Sequence, residues 1–287
     1  SVYAAVVRTM QELGGNAGRG SHRHASGAER CIRESRARVA GFFGIPHPSR
    51  LVFTCNATDA LNMAIKGTVG RGDRVVTTCL EHNSVLRPLT GLETRLNVQV
   101  TYIPVGKKGY VSPGDFEEAL TRNARLVILN HASNVLGTVQ PLGEIARLCR
   151  AHDVPLLVDV AQTAGKLPID VTSPVIDMLA FPGHKSLLGP QGTGGLYVRE
   201  GLEIDPWREG GTGTRSEESK QPVEMPYRFE AGTQNLPAIA GLAEAIRFIE
   251  EQDCEQIHRR CMALVLRLVE SLNQDERFVL YGDLNPE

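Results

Sequence analysis

The sequence predicts an α/β fold built on a mostly parallel sheet with flanking helices. Short apolar runs recur along the chain at Leu51–Thr54, Arg74–Thr78, Val98–Pro104, Arg125–Asn130, Val154–Asp159, Asp177–Phe181 and Thr193–Val198. Amphipathic helical stretches lie between several of them, and strands joined through helices imply parallel crossovers. With 287 residues, 41% of them apolar, the chain can bury a substantial core.

The clearest intervening helix is Pro141–His152, which opens with proline in its first turn and sets Leu142, Ile145 and Cys149 on one face. Arg33, Arg36 and Arg38 fall in an earlier helical stretch and read as a solvated face. After Val198 the composition changes. Residues Gly201–Arg228 are rich in Gly, Pro and charge and predict a long loop. Helix is expected again from Pro237, with Ile239, Leu242, Ile246 and Ile249 in register, then Ile257, Cys261, Leu264 and Leu268. The run Phe278–Tyr281 reads as a strand opening a further domain. The expected organisation is a large domain over residues 1–250 and the start of a smaller C-terminal one over 251–287.

Charge narrows the partners. Lys and Arg number 31 against 33 Asp and Glu, a net charge of -2, with no bias toward nucleic acid or acidic lipid. The six cysteines, Cys31, Cys55, Cys79, Cys149, Cys254 and Cys261, form no CxxC pair and no zinc spacing. They read as packing residues of a reducing compartment, with Cys149 and Cys261 in register with apolar neighbours. No apolar run approaches the roughly 20 residues that span a bilayer, and no signal segment opens the chain. A soluble, cytoplasmic protein without metal is expected.

Parallel sheets collect ligands at the carboxyl ends of their strands. After Leu51–Thr54, a turn of small residues leads through Ala57 and Thr58 into a helix, a seat for phosphate on free N–H groups. An ordinary helix cap by Asn56 or Thr58 explains that turn as well. After the next strand come Glu81 and His82, after another Asp159 and Gln162, and after Asp177–Phe181 the run Pro182-Gly183-His184-Lys185. Neither a GxxxxGK[ST] loop nor a GxGxxG opening a helix is found, which disfavours a nucleotide. Taken together, the positions match one cofactor, pyridoxal 5'-phosphate (PLP). It needs a lysine for its aldehyde, a carboxylate for its pyridine nitrogen, donors for its phosphate and a flat group for its ring. Lys185, Asp159, Thr58 with His184, and His82 supply that set.

The segments Phe53–Asn62, Glu81–Ser84, Ser133–Gly137, Asp159–Gln162, Gly183–Lys185 and Glu230–Asn235 resemble the class V aminotransferase superfamily, and within it the cysteine desulfurase/selenocysteine lyase group. Residues 16–22 are similar to that group's early loop. The resemblance implies PLP-dependent fold type I. It makes Lys185 the Schiff-base lysine and places Asp159 on the pyridine nitrogen, Gln162 on the phenolic oxygen and His82 over the ring, where it assists proton transfer. Asn134 falls near the phenolic oxygen and the substrate carboxylate, and Ala57, Thr58 and His184 fall at the phosphate. Gly232 and Thr233 would reach the phosphate of a neighbouring subunit, implying a homodimer with shared sites. Asn56, Asn83 and Pro182 depart from the family's usual Gly, second His and phosphate-binding Ser.

The implied reaction turns cysteine into alanine and an enzyme persulfide, with a sulfur-acceptor protein as partner. Other class V chemistry (an aminotransferase, epimerase or lyase) is the alternative, and a non-catalytic scaffold of the same fold is a minor one. The family's first strand and its small domain, with the nucleophilic cysteine and substrate-binding arginine, are not found. The chain is therefore expected to be a fragment, and none of the six cysteines is expected to be the nucleophile.

Overall fold

A computed structural model describes residues 1–14, 23–121, 123–214 and 217–283; the early loop at 16–22 lies outside the described residues. Seven strands form one sheet: β1 (Leu51–Thr54), β2 (Arg74–Thr78), β3 (Gln99–Ile103), β4 (Leu126–Asn130), β5 (Leu156–Asp159), β6 (Met178–Pro182) and β7 (Gly194–Val198). Their order is β1-β7-β6-β5-β4-β2-β3. The seven strands expected before Val198 are all present, β1 and β2 with the expected bounds and the others with ends shifted by one or two residues. β5 starts after Pro155, which has no N–H for the ladder.

Four of the six strand pairings are parallel, and two are antiparallel, β1 with β7 and β6 with β7. Only β7 is reversed. β1 to β6 therefore run the same way and end at the same edge, and there β7 contributes its first residue, Gly194. Gly194 pairs with both Thr54 and Pro182. A Cβ at Gly194 would lie 2.7 Å from the Phe181 carbonyl oxygen and 2.8 Å from the Asn56 backbone. Its glycine serves close packing of strand against helix.

β4, β5, β6 and β7 are buried along their whole length, the signature of a sheet covered on both faces. Alternate residues feed two cores. Val127, Leu129, Val158 and Phe181 pack beneath α2 (Arg23–Phe42), α5 (Pro113–Leu120), α6 (Leu142–Ala151) and α7 (Leu236–Gln252). Leu126, Ile128, Leu157 and Ala180 pack beneath α3 (Ala57–Thr68) and α4 (Asn83–Leu96). An N-terminal helix, α1 (Val2–Glu12), leans on α7. Pro141 is the N-cap of α6, one place earlier than expected.

Four expectations need correction. Arg36 is not on a solvated face: it is 7% exposed and paired with Glu230. Its helix turns that position inward, and the charge is tolerated because every donor direction used meets an acceptor. The helix α8 (Cys254–Asn273), after a break at Asp253, buries no residue; Leu264 and Leu268 are 59% and 58% exposed and Cys261 is half-buried. Periodicity located the helix but not a surface to cover it. Phe278–Tyr281 forms no strand: among the described residues none pairs with it in a ladder. Cys55 and Cys79 are exposed at strand ends rather than packed, whereas Cys149 is buried and its thiol is pushed up to about 12 by desolvation.

Candidate active site

The shared edge of the six like-directed strands holds a cleft of about 200 Å³. Ala57, Thr58, His82, Asn134, Asp159, Gln162, His184 and Lys185 all line it. Eight of the ten predicted site residues thus meet in one place. Gly232 and Thr233 do not line it; they are exposed in the segment before α7, Gly232 with φ +95°. A larger groove between α1, α2 and α7 gathers none of the predicted set.

The anion seat is the start of α3. Asn56 caps it, its side chain accepting from Asp59 N–H at 2.9 Å. With the Asp59 N–H taken by the cap, the N–H groups of Ala57 and Thr58, two residues that line the cleft, are left without an acceptor in the helix. Asp59 would oppose an anion, but its Oδ2 is turned back onto the Cys55 N–H at 3.1 Å.

At the end of β5, Asp159 is 3% exposed. Its Oδ1 accepts from the Ala161 N–H at 2.9 Å, fixing the carboxylate as the chain turns toward Gln162. Burial raises its pKa, while that N–H, Lys185 and His82 act in the opposite direction. A buried carboxylate with one N–H donor, facing a cleft, fits a cationic ring N–H as its second partner. Lys185 is carried by the loop after β6, which Gly183 closes by donating to the Thr193 carbonyl and accepting from the Gly189 N–H, both at 2.8 Å. A Cβ at Gly183 would lie 2.1 Å from Thr193 Oγ1, so this turn requires glycine. Asn134 rides on a tight loop where Ser133 Oγ accepts from the N–H groups of Val135 and Leu136, each at 3.2 Å.

Sequence reasoning assigned no role to Asn130, at the end of β4, or to Glu81. Asn130 lines the cleft and pairs in register with Asp159. Glu81 Oε1 accepts from Thr78 Oγ1 at 2.8 Å and from the Asn130 N–H at 3.0 Å, tying β2 to β4. Its Oε2 is buried without a partner. Burial pushes its pKa up to about 8, with nearby Asp159 adding to the rise against the two hydrogen bonds. The rule that located Asp159, a polar residue at a strand's carboxyl end, would have found Asn130 as well.

The raised Glu81 pKa has a stability consequence. Between the ordinary carboxyl value of 4.5 and about 8, the folded state holds a proton that the unfolded state has released. Stability therefore falls as pH rises through that window. Glu81→Gln is expected to flatten this part of the pH–stability curve; an unchanged slope in chemical denaturation would rule the neutral acid out.

The fit to PLP rests on these donors and charges. Among the described residues no group of His, Cys, Asp or Glu could hold a metal, and no helix is long and apolar enough to cross a membrane. The family model "Aminotransferase class-V" matches residues 1–287. The chain belongs to the class V aminotransferase family. Its members are PLP-dependent enzymes of fold type I, so the expected fold type and cofactor are borne out.

A "Probable cysteine desulfurase" of Methanothermobacter thermautotrophicus is 37% identical over 98% of this chain and 71% of its own length. "Cysteine desulfurase IscS" of Dictyoglomus turgidum is 33% identical over 88% of this chain and 62% of its own. The apo structure of a cysteine desulfurase from Thermococcus onnurineus NA1 superposes with a TM-score of 0.91 at 33% identity, covering 99% of this chain and 72% of that one. The chain thus spans between 62% and 72% of the length of these relatives.

Proposed function

We propose that this class V enzyme acts on L-cysteine as a desulfurase. The observation that carries the proposal is the single cleft joining Lys185, Asp159, His82, Gln162, Asn134 and the α3 terminus. The names of the relatives select cysteine over other amino acids. When bound, PLP supplies an aldehyde that condenses with amines and a ring that withdraws electrons released at Cα.

The chain's residues divide the remaining tasks. Lys185 supplies the amine that holds the cofactor and is free to carry a proton once substrate amine replaces it. Asp159 keeps the pyridine nitrogen protonated by pairing with it in a site where water cannot screen the charge. Gln162 and Asn134 orient the phenolic oxygen and the substrate carboxylate, His82 covers the ring, and Ala57, Thr58 and His184 hold the phosphate. Gly232 and Thr233 serve the phosphate of a second copy in a homodimer, a role supported by their exposure and by their absence from the lining of their own cleft. The division of the chain into 1–250 and 251–287 is supported by the break between α7 and α8 at Asp253, where φ is 64°.

The test is to supply the full-length, PLP-loaded protein with L-cysteine and measure alanine and sulfane sulfur. Equimolar alanine and persulfide are expected. A keto acid in place of alanine would assign the aminotransferase alternative. Sedimentation of the same preparation as a cofactor-loaded monomer would contradict the shared site.

A further inference from the structure

We infer that Ser84 is a positioning residue that links the anion seat to His82 and sets which ring nitrogen of His82 carries the proton. This rests on Thr58 belonging to the phosphate seat, as proposed above. Three contacts carry it. Thr58 Oγ1 lies 2.7 Å from Ser84 Oγ, Ser84 Oγ lies 2.8 Å from His82 Nδ1, and the Ser84 N–H donates to the same Nδ1 at 3.1 Å. All three side chains line the cleft.

The direction of each bond follows from the one that is fixed. A backbone N–H can only donate, so His82 Nδ1 is an acceptor and a neutral ring carries its proton on Nε2. Ser84 Oγ must then donate to Nδ1. The Ser84 oxygen is left as an acceptor, and Thr58 donates to it. The hydroxyl protons therefore run from Thr58 through Ser84 to His82.

An anion at the start of α3 competes for the Thr58 proton. A hydroxyl bond to a charged acceptor is the stronger one, so Thr58 turns toward the anion and the Ser84 oxygen loses its donor. Hydrogen bonds in a chain reinforce one another, so without the Thr58 donor the Ser84 hydroxyl donates less strongly to Nδ1. Occupancy of the phosphate seat is thereby reported to the ring that covers the cofactor. Ser84 is buried at the first turn of α4, which His82 caps, so its hydroxyl has few other directions to take.

The experiment is 15N NMR of histidine-labelled apoprotein at about pH 8.5, where an imidazole of ordinary pKa is neutral. Inorganic phosphate is the probe, and its binding is followed separately by 31P NMR. Free wild-type protein should show His82 Nδ1 as a hydrogen-bonded acceptor and Nε2 as the protonated nitrogen. Saturating phosphate should shift Nδ1 downfield, as expected for a weakened bond. Ser84→Ala should show a downfield shift without phosphate and no further response to it, and Ser84→Thr should restore the response.

A protonated Nδ1 in the wild type would overturn the inference, as would equal phosphate responses in wild type and Ser84→Ala. Absence of phosphate binding by 31P NMR would remove the anion seat and the coupling with it, a failure separate from that of the tautomer.

Discussion

Asp159→Asn is expected to slow deuterium exchange at the Cα of bound substrate by about a hundredfold or more, the scale on which losing one preorganised electrostatic group slows a reaction. PLP affinity should fall as well. The reason is the site's asymmetry. Asp159 is buried with a single N–H donor on Oδ1, leaving its charge to a cationic partner in the cleft. Asparagine can still accept from Ala161 N–H, so the turn toward Gln162 is kept and the folded apoprotein should lose little stability. Burial already disfavours the ionised carboxylate, and removing it relieves that penalty. Large kinetic loss with near-constant melting temperature separates a ring partner from a turn-capping aspartate. Unchanged exchange, with a stability loss in its place, would assign Asp159 to the turn.

The largest effect on stability is expected at Arg36. Its Nη1 and Nη2 donate to Glu230 Oε1 and Oε2 at 2.6 and 2.8 Å, and Nη1 also reaches the Leu51 carbonyl at 2.8 Å. Glu230 Oε1 accepts the Phe53 N–H at 2.7 Å, and the guanidinium lies 4.7 Å from the Phe53 ring centroid. Both side chains are buried, at 9% and 6% exposure. Arg36→Ala strands a carboxylate inside the protein, and breaking a buried pair from one side costs about 3–5 kcal/mol. Arg36→Met with Glu230→Gln should recover most of that loss, because no unpaired charge remains. Urea denaturation of the three proteins measures both quantities. A single-mutant loss below about 1 kcal/mol would be that of a solvated surface pair. The same pair anchors the start of the Glu230–Asn235 segment to β1, so cofactor binding that depends on Thr233 should weaken with it.

How much was legible in the sequence follows from what each feature depends on. The seven strands are short apolar runs, most of them buried on both faces, and all were found. The eight predicted residues that line the cleft sit within a few positions of a strand's carboxyl end; a rule about sheets picked out Thr58, His82, Asp159, His184 and Lys185, whereas Asn134 was named only through the family resemblance. What local pattern could not show was partnership. Arg36 has the spacing of a surface residue, and only Glu230, 194 positions later, turns it inward. Glu81 stood beside His82 in the same segment, yet its bond from the Asn130 N–H of β4 and the nearby charge of Asp159 come from distant parts of the chain. The reversal of β7 has no compositional sign, because Gly194 and Gly195 suit a tight approach in either direction. In α8 the apolar period was real, but amphipathicity states only that a face exists, not what covers it.

The most direct test of the cofactor assignment is reduction of the PLP-loaded protein with borohydride, followed by peptide mapping. Lys185 lines the cleft on the loop closed by Gly183, within the field of Asp159. One pyridoxyl label is expected, on Lys185, with the visible absorbance of the loaded protein lost on reduction and no label trapped in Lys185→Ala. A label on any other lysine of the wild type, or undiminished labelling of Lys185→Ala, would contradict the assignment.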